Sequence, residues 1–485
     1  MADSFDRTVD PVLMAMRTLL LVALCAATYS QAQQAWTLEQ CLQRAEQQNL
    51  ALRGDQLDAD LAAKASDQSR WALLPDLNAG ATHGYNWGKA VDRYTNTFAT
   101  DRVRTNNLWL GSNWTLFQGL RLQNERVKAG IDADAAIKGL EASRNTIRKD
   151  VVSRFLNVLS LRERIKAADA QAASTREQVE VMQALVDAGR VARAQRLDLD
   201  AQLAQEELNG VDLRNQHDLA LLQLGQALFL TPQEQASFDI SAPPLASLAI
   251  AEPVQRVEEI MPAVIAADPA YAQADLNVRS AEKQVDIARS GSIPSLSFNA
   301  SVGTGYSGLN QTPVGQPTVI DVPIGSTTGG EVVYAQDYLY DTEVTPFGTQ
   351  LDDNLNESVG FTLSVPLFNN MRNRLAVDQA RVQRERMALL KESELQRMQR
   401  DVQDALNQQR AAYRQFMAAN KALTASEEAL RYAQERFTAG AITTADLNAA
   451  KNNLARSTAD VITARYAWVM AAKSLDILQG LPITL

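Results

Sequence analysis

The sequence predicts a mainly helical protein with a membrane β-barrel part, in which a β-hairpin followed by a long helical hairpin occurs twice. Three observations support this fold class: an internal repeat, four segments that alternate like membrane strands, and long polar segments with helical periodicity. The chain of 485 residues could hold two or three unrelated domains. The repeat instead favours one object built from two similar halves.

The internal repeat keeps a constant offset of 251 residues through the later part of each half. The matching positions are Leu116-Phe117 with Leu367-Phe368, Asp150-Val151 with Asp401-Val402, Ala188-Gly189 with Ala439-Gly440, and Leu203 with Leu454. Earlier positions, such as Pro75 and Pro294, are separated by 219 residues. The second half therefore carries about 32 extra residues (251 − 219), which we place in the Gly- and Pro-rich segment 308–354. Because both flanks keep their register, we expect a surface loop there, between two strands.

These patterns divide the chain into a leader, two repeats and a linker. The predicted parts are a signal peptide (1–32), a first repeat (33–228) with a β-hairpin at 76–117 and a helical hairpin at 119–228, an equatorial linker between the repeats (229–252), and a second repeat (253–485) with a β-hairpin at 294–368 and a helical hairpin at 370–479. Shorter helices precede each β-hairpin, and we expect each to be broken, near Asn49 in the first repeat and near Asp268-Pro269 in the second.

The first residues have the pattern of an export signal. An apolar run at 18–28 is followed by Ser30-Gln31-Ala32, which fits cleavage after Ala32. The run is shorter than the roughly 20 apolar residues that span a bilayer. Acidic residues near the first methionine do not suit a signal peptide, which favours Met14 or Met16 as the initiator. Cleavage would leave Cys41 as the only cysteine and exclude an intramolecular disulfide.

The charge excludes some classes of partner. The formal net charge is −10, from 47 basic and 57 acidic residues, which gives no reason to expect nucleic-acid binding, because such binding normally requires a basic face. No segment after the leader has the length and apolarity of a transmembrane helix. Insertion into a membrane must therefore come from strands, the other structure that satisfies every backbone hydrogen bond in lipid.

Four segments alternate between apolar and polar residues over lengths of about 10–13 residues, which suits tilted membrane strands. They lie at 76–87, 107–117, 295–302 and 358–367. The candidate girdle aromatics are Trp87, Trp109, Trp114 and Tyr306. Four strands cannot close a barrel, which needs about eight, and an open edge is not viable in lipid. Several chains are therefore expected to share one barrel.

Two proline-free segments, between Phe117 and Ala188 and from Asn370 to Ala439, predict helices of about 70 residues. Each would be about 100 Å long at about 1.5 Å per residue. Their narrow apolar stripes suit coiled-coil packing with a wide polar face left in water. Gly189 and Gly440 are expected to end these helices in the left-handed conformation, with Thr443 or Thr444 capping the returning helix.

Long helical hairpins, two β-hairpins and a duplication behind a signal peptide resemble the TolC-like outer-membrane efflux protein family over residues 36–480. The segments that carry the resemblance are Trp36-Thr37-Leu38-Glu39, Leu74-Pro75, Trp114-Thr115-Leu116-Phe117, Ile293-Pro294, Val365-Pro366-Leu367-Phe368, and the turns Ala188-Gly189-Arg190-Val191-Ala192 and Ala439-Gly440-Ala441-Ile442-Thr443. Their order and spacing, more than any single motif, make the resemblance specific.

The resemblance implies a homotrimer in the outer membrane. Three chains of four strands each would form a 12-stranded β-barrel, continued across the periplasm by an α-barrel of 12 helices. Such proteins are exit ducts of tripartite efflux or export systems. A periplasmic adaptor (membrane fusion) protein docks at their helical tips and connects them to an inner-membrane transporter. They have no enzymatic activity and need no cofactor.

The resemblance also implies a pore constriction near the periplasmic end of the tube. Family members carry an acidic residue about a turn and a half after the second helical turn, which here is Asp446. A second acidic ring, one turn further on in some members, corresponds to Ala449. In the first repeat the position that matches Asp446 is Gln195, and the acidic residues beyond it are Asp198 and Asp200.

Three copies of Asp446 around a pore would repel one another and attract cations, so a closed state needs compensating charge nearby. Arg193 and Arg196 lie at a nearly equivalent height in the first repeat, and we hypothesise that they pair with Asp446. The alternative is that Asp446 belongs only to the solvated start of a helix.

The candidate adaptor-docking tips are the two helical turns. They comprise Gly189, Val191 and Ala192 in the first repeat and Gly440, Ile442 and Thr443 in the second. Small residues at these positions are equally what any tight turn requires.

An enzyme is not expected, because His83 and His217, the only histidines, have no cluster of ligand spacing around them, and no metal site is predicted. Two other functions remain open at this point. One is a periplasmic coiled-coil scaffold or adaptor with a soluble β-domain, and the other is a stand-alone porin. The porin is disfavoured because most of the chain is predicted to be helical.

Overall fold

The computed structural model describes residues 35–99, 102–241 and 250–483. The predicted signal peptide and residues 242–249 of the predicted linker lie outside the described residues. The chain divides into two compact units. The helical unit comprises the residues up to Asp60, Asp134–Asp275 and the chain from Leu389 onward, and the strand unit comprises Leu61–Ala133 and Leu276–Ala388. Each unit takes segments from both repeats, so the units do not coincide with the repeats.

The helices are long in both repeats. They are α1 (Leu38–Gln48), α2 (Leu50–Trp71), α3 (Arg121–Asp187), α4 (Arg193–Ala227), α5 (Pro232–Ala236), α6 (Val257–Ala267), α7 (Pro269–Ser290), α8 (Phe347–Asp353), α9 (Arg372–Thr438) and α10 (Thr444–Leu478). The strands are β1 (Asn78–Asn86), β2 (Ala90–Val91), β3 (Phe98–Ala99), β4 (Val103–Gln118), β5 (Ser295–Ser307), β6 (Gln311–Ser326), β7 (Val332–Val344) and β8 (Asn356–Ser364). Within the described residues, no helix is both long and apolar enough to cross a membrane.

The helix lengths confirm the duplication. Helices α3 and α9 each have 67 residues, and α4 and α10 each have 35. Both pairs begin 251 residues apart (372 − 121 and 444 − 193). Helices α1 and α6 have 11 residues each and begin 219 residues apart (257 − 38). The breaks expected near Asn49 and Asp268 are the C-terminal ends of α1 and α6.

The helical unit has a core of narrow apolar stripes, as the periodicity predicts. The larger cluster joins α1, α3, α4 and α10, and its fully buried members include Phe155, Leu159, Leu224 and Ile240. Each such side chain contributes about 1.5–3 kcal/mol by leaving water. Cys41 belongs to the same cluster, and burial raises the pKa of its thiol to about 12, which leaves it unreactive.

A second cluster joins α6, α9 and the end of α10. Its members include Val264, Val402, Leu406 and Leu475, which are all buried. The second repeat therefore forms the same kind of helix contact as the first, through its own short helix. Most remaining positions of α9 are polar and exposed, which agrees with a helix that packs through a stripe.

The strand unit contains an antiparallel sheet of four strands in the order β1-β4-β5-β8. The two β-hairpins of the repeats meet at its centre, where β4 pairs with β5. This pairing explains why the strand unit draws on both repeats. Strands β1 and β8 are the edges, and all nine residues of β8 are exposed.

The alternation of side chains gives this sheet an apolar and a polar face. The register places Ala81, Leu108 and Thr304 in one row of the apolar face, and Phe298 between Trp114 and Phe361 in another. Trp109 occupies the polar face, with its ring against Gly80, so its assignment to an outward aromatic girdle is wrong. The reason is that Trp109 and Leu108 are neighbours in one strand and must point to opposite faces.

The insertion of the second repeat is more ordered than the expected surface loop. It forms a second antiparallel sheet from β6 and β7, followed by the short helix α8. The prolines of β6 suggested irregular structure, but the ladder accommodates Pro317 and Pro323 at two register shifts, Val314/Thr318 and Pro323/Gly325, and pairs Pro313 with Thr342. Alternating β-branched and aromatic residues in β7, such as Val332, Tyr334 and Tyr338, favour the strand.

Candidate functional site

The second helical turn is fixed by backbone and side-chain bonds. Gly440 has a φ of +71°, a left-handed conformation that glycine adopts without strain. The amide of Gly440 donates to the carbonyl of Phe437 (2.9 Å), and the amide of Ala441 donates to that of Arg436 (2.8 Å). These bonds satisfy the last carbonyls of α9. The predicted left-handed glycine is confirmed here.

Thr443 caps the helix that follows. Its hydroxyl accepts a hydrogen bond from the amide of Asp446 (3.2 Å), and the Asp446 carboxylate accepts from the amide (3.0 Å) and the hydroxyl (2.8 Å) of Thr443. This reciprocal pair is a capping box. Of the two threonines that the sequence offered as caps, the structure selects Thr443.

The Asp446 side chain is exposed and is held in its ionised form. The backbone and hydroxyl hydrogen bonds from Thr443, aided by the positive charge of Arg436, lower the pKa of Asp446 below the usual aspartate value. Residue Arg436 belongs to the last turn of α9 and was not singled out by the sequence. Asp446 is therefore a fixed negative charge immediately after the turn.

The first helical turn has the same backbone but lacks the cap. Gly189 has a φ of +67°, and its amide donates to the carbonyl of Val186 (2.9 Å). Ala192 is the residue before α4 and offers no side-chain hydrogen bond. Gln195, which matches Asp446 by sequence, lies in the first turn of α4. Its backbone N–H donates to the Ala192 carbonyl (3.1 Å). Backbone geometry alone defines this turn.

The charged candidates of the first repeat all lie on α4. Arg196 forms an ion pair with Asp200 (3.2 Å), one turn further along the same helix. Arg193 and Asp198 are exposed. The hypothesised pairing with Asp446 across neighbouring copies stays a prediction. Among the described residues of one chain, neither Arg193 nor Arg196 forms an ion pair with Asp446. The reason is that Arg196 is already paired with Asp200, and the Asp446 carboxylate is engaged by Thr443.

A buried polar cluster that the sequence did not reveal lies between the helices of this unit. Lys451 of α10 is 1 % exposed, and its ammonium group donates to the Thr175 hydroxyl of α3 (3.1 Å). Burial lowers the pKa of Lys451, and the negative charge of Glu206 offsets part of this effect. The Glu206 carboxylate accepts hydrogen bonds from Gln171 and Gln202. In sequence, Lys451 looks like one more solvated residue of a polar helix.

The docking candidates are accessible. Gly189, Ala192, Gly440 and Thr443 are exposed, and Val191 and Ile442 are half-buried. Each turn thus presents one partly accessible aliphatic side chain beside small residues. The described residues contain no group of three or more His, Cys, Asp or Glu placed to hold a metal ion. The side chains at the turns offer apolar contact through Val191 and Ile442 and a fixed negative charge at Asp446.

The chain matches the family model described as "Outer membrane efflux protein" at residues 41–228 and 261–481. It is 24 % identical over 458 residues to outer membrane protein TolC of Escherichia coli (strain K12), which covers 93 % of this chain and 83 % of that protein. It is also 24 % identical over 467 residues to TolC of Salmonella enteritidis, covering 94 % of this chain and 85 % of that protein.

Solved structures share the fold. CusC matches with a TM-score of 0.74 at 14 % identity, covering 92 % of both chains. The Campylobacter jejuni CmeC outer membrane channel matches with a TM-score of 0.72 at 14 % identity, covering 91 % of this chain and 85 % of CmeC. The open state of the Neisseria gonorrhoeae MtrE outer membrane channel gives 0.70 at 18 %, covering 92 % of this chain and 89 % of MtrE. With the family model matching most of the chain, the protein belongs to the outer membrane efflux protein family and is an outer-membrane channel for efflux.

Proposed function

We propose that three copies of this chain form the exit duct of a tripartite export system. The three four-stranded sheets would join into one 12-stranded barrel in the outer membrane, and the long helices would continue it as a tube of 12 helices into the periplasm. A periplasmic adaptor would connect the helical turns to an inner-membrane transporter. Cargo would then cross both the periplasm and the outer membrane without release, and no step would require catalysis.

The observation that carries this proposal is the sheet with an apolar face and two free edges. Strand β8 exposes Val359, Phe361 and Leu363, each by about two thirds or more of its surface. An edge of this kind leaves unpaired backbone groups, which cost several kcal/mol each in lipid. Pairing β8 of one copy with β1 of the next satisfies both edges. Three copies close the ring at a strand number that barrels adopt.

We place the periplasmic constriction at Asp446. The capping box orients this carboxylate and keeps it charged, so three copies around a narrow pore would present a ring of negative charge. Asp198 and Asp200 would add negative charge on α4. Arg193 and Arg196 would act only between neighbouring copies, because they do not reach Asp446 within one chain. Such a ring favours cations and repels anions.

The constriction is tested by ion selectivity. The purified protein is placed in a planar bilayer with a KCl gradient, and the reversal potential is measured. The wild type is expected to prefer potassium, and Asp446→Asn is expected to move the reversal potential toward zero, because asparagine keeps a cap acceptor but loses the charge. The control Asp404→Asn removes one exposed charge from the middle of α9 and should change little. Equal effects of both variants would show that Asp446 lines no constriction.

We place the adaptor interface at the two turns formed by Gly189, Val191, Ala192, Gly440, Ile442 and Thr443. Their fixed backbone and accessible aliphatic side chains suit a helical tip of complementary shape. Ile442→Arg is expected to abolish co-purification of the adaptor from crosslinked cells. Gln408→Arg, which adds the same charge at an exposed position of α9, should leave it intact. Retention of the adaptor by Ile442→Arg would remove the turns from the interface.

A further inference from the structure

The apolar face of the sheet ends in a row of arginine and tyrosine side chains. Along β1 this face carries Ala81, His83 and Tyr85, and the register pairs Tyr85 with Arg104 and Asn106 with both His83 and Tyr306. The apolar residues of the face thus give way to polar and aromatic residues at the end where β1 is connected to β4. The long helices α2 and α3 join the sheet at its other end, at the start of β1 and the end of β4. The short helix α8 lies at the same end as this row, with the Phe347 ring 5.4 Å from the Tyr306 ring.

Two arginines at this end, Arg102 and Arg104, lie over aromatic rings. The guanidinium carbon of Arg102 is 4.9 Å from the centre of the Tyr85 ring, and that of Arg104 is 5.2 Å from the centre of the Tyr306 ring. We call Tyr85, Arg102, Arg104 and Tyr306 the arginine–tyrosine rim. Stacking on a ring holds the guanidinium plane while leaving its N–H groups available for other acceptors.

The positive charge of the rim lies at the surface of the protein. Arg102 and Arg104 are exposed, and within the described residues neither forms an ion pair with a carboxylate. Next to the rim, Lys89 lies 5.4 Å from the centre of the Phe98 ring, and Trp87 is 72 % exposed. The corresponding part of the second repeat, residues 290–371, contains no Lys, Arg or His. Cations at this end therefore come from the first repeat alone.

We infer that the arginine–tyrosine rim binds the phosphate groups of the glycolipid in the outer leaflet of the membrane, represented by lipid A. Guanidinium groups bind phosphate oxygens in bidentate fashion, and aromatic rings favour the boundary between lipid chains and headgroups. The apolar face beside the rim, with Leu108, Leu110 and Val302, would take the acyl chains. One molecule would thus match both chemistries of a single continuous surface.

This inference rests on the proposed function for its orientation. The proposed function places the long helices in the periplasm and the β1–β4 connection at the cell surface. The source of the phosphate follows from that orientation, because the outer leaflet is where phosphorylated glycolipid resides. The acidic β6–β7 hairpin of a neighbouring copy, which carries Asp321, Asp337 and Asp341, is the other partner with suitable charge. We favour the lipid because the rim continues the apolar face.

The test uses the full-length protein, purified in detergent and stripped of lipid. Native mass spectrometry counts bound molecules of lipid A carrying two phosphates, lipid A without phosphates, and phosphatidylglycerol. The wild type is expected to bind the phosphorylated lipid A in preference to both. Arg102→Gln/Arg104→Gln should reduce that binding about tenfold or more, and Arg102→Lys/Arg104→Lys should retain part of it. The control Arg374→Gln removes a charge at the helical end of the strand unit and should bind as the wild type does.

Unchanged lipid A binding in the double glutamine variant would overturn the inference, and so would equal binding of phosphatidylglycerol. Loss of trimer mass in that variant without any change in lipid binding by the remaining trimers would assign the rim to contact between copies instead, and would also overturn it. The same spectra separate this failure from that of the proposed function. If the wild type itself is a monomer, the shared barrel fails. If the wild type is a trimer that binds no lipid A, only the inference fails.

Discussion

The two helical turns share one backbone and differ in one cap. Gly189 and Gly440 have φ values within a few degrees of each other, at +67° and +71°. The second turn is followed by the Thr443–Asp446 capping box, whereas Ala192 offers the first turn no side-chain bond. Duplication has therefore kept the geometry of the turn but placed its fixed charge on one copy only. The left-handed glycine reverses the chain in both repeats, whereas the cap is present in the second repeat only and adds an oriented, charged carboxylate there.

The largest effect is expected from the feature that the two turns share. A side chain in the left-handed conformation costs about 1–2 kcal/mol, so Gly440→Ala and Gly189→Ala should each destabilise their turn by that amount. Limited proteolysis of the purified protein would compare the two cleavage rates. Gly54→Ala, within α2 and with open space around its Cβ position, is the control and should be neutral or slightly stabilising. Equal cleavage of all three variants and the wild type would contradict the role of the glycines.

The next largest effect should be a loss of stability at the second turn alone. Thr443→Ala removes the cap and is expected to destabilise the start of α10 by about 1 kcal/mol. Hydrogen exchange of amides 443–446 would rise several-fold, while exchange at 192–195 would not change. Thr424→Ala is a matched control, because Thr424 only bonds the Asn420 carbonyl inside α9. If exchange at the second turn stays at the wild-type rate, the capping box contributes nothing to its order.

The reverse change should remove the difference between the turns. Ala192→Thr/Gln195→Asp supplies the first turn with the residues of the box and is expected to stabilise the start of α4 by about 0.5–1 kcal/mol. Exchange at 192–195 should slow toward the rate of the second turn. Ala192→Val, which adds bulk without an acceptor, serves as the control. A slower rate in both variants would attribute the effect to packing rather than to capping.

The smallest expected effect is a dependence of hydrogen exchange on pH, at the second turn only. The folded pKa of Asp446 is lowered, so its contribution to stability is present above the unfolded aspartate pKa of about 3.9 and is lost as the pH falls through the lower folded value. Exchange at 443–446, corrected for the intrinsic rate, should therefore rise below about pH 4. Gln195 does not titrate, so the first turn should show no such change. Asp446→Asn should remove the dependence, and its persistence there would assign it to another group.

The helices and the strands of the sheet could be predicted from the sequence because local patterns define them. Proline-free polar segments with a narrow apolar stripe permit only long packed helices, and α3 and α9 follow. The cap at Thr443 followed from chemistry that acts within four residues. In contrast, the prolines and glycines of the β6–β7 hairpin suggested an irregular loop. The register shifts that accommodate such residues in a ladder become visible only when the two strands are paired.

Contacts between distant segments could not be predicted in the same way. Lys451 is buried against Thr175, 276 residues away, and no local pattern distinguishes it from exposed lysines. The charge of Arg436 helps to lower the pKa of Asp446, and this effect likewise depends on how two helices meet at a turn. Trp109 was placed in an aromatic girdle by residue type, although the alternation with Leu108 assigns it to the polar face. Side-chain position in these cases depends on tertiary packing or register.

The central claim is that the two repeats of one chain form a sheet whose free edges, β1 and β8, are closed by other copies. The most direct test is the native mass of the protein extracted in detergent from isolated outer membranes. A particle of three chains of 53.1 kDa, each without the signal peptide if the predicted cleavage occurs, is the expected result. A monomer in the membrane extract, or a protein found in the periplasmic fraction, would contradict the shared barrel.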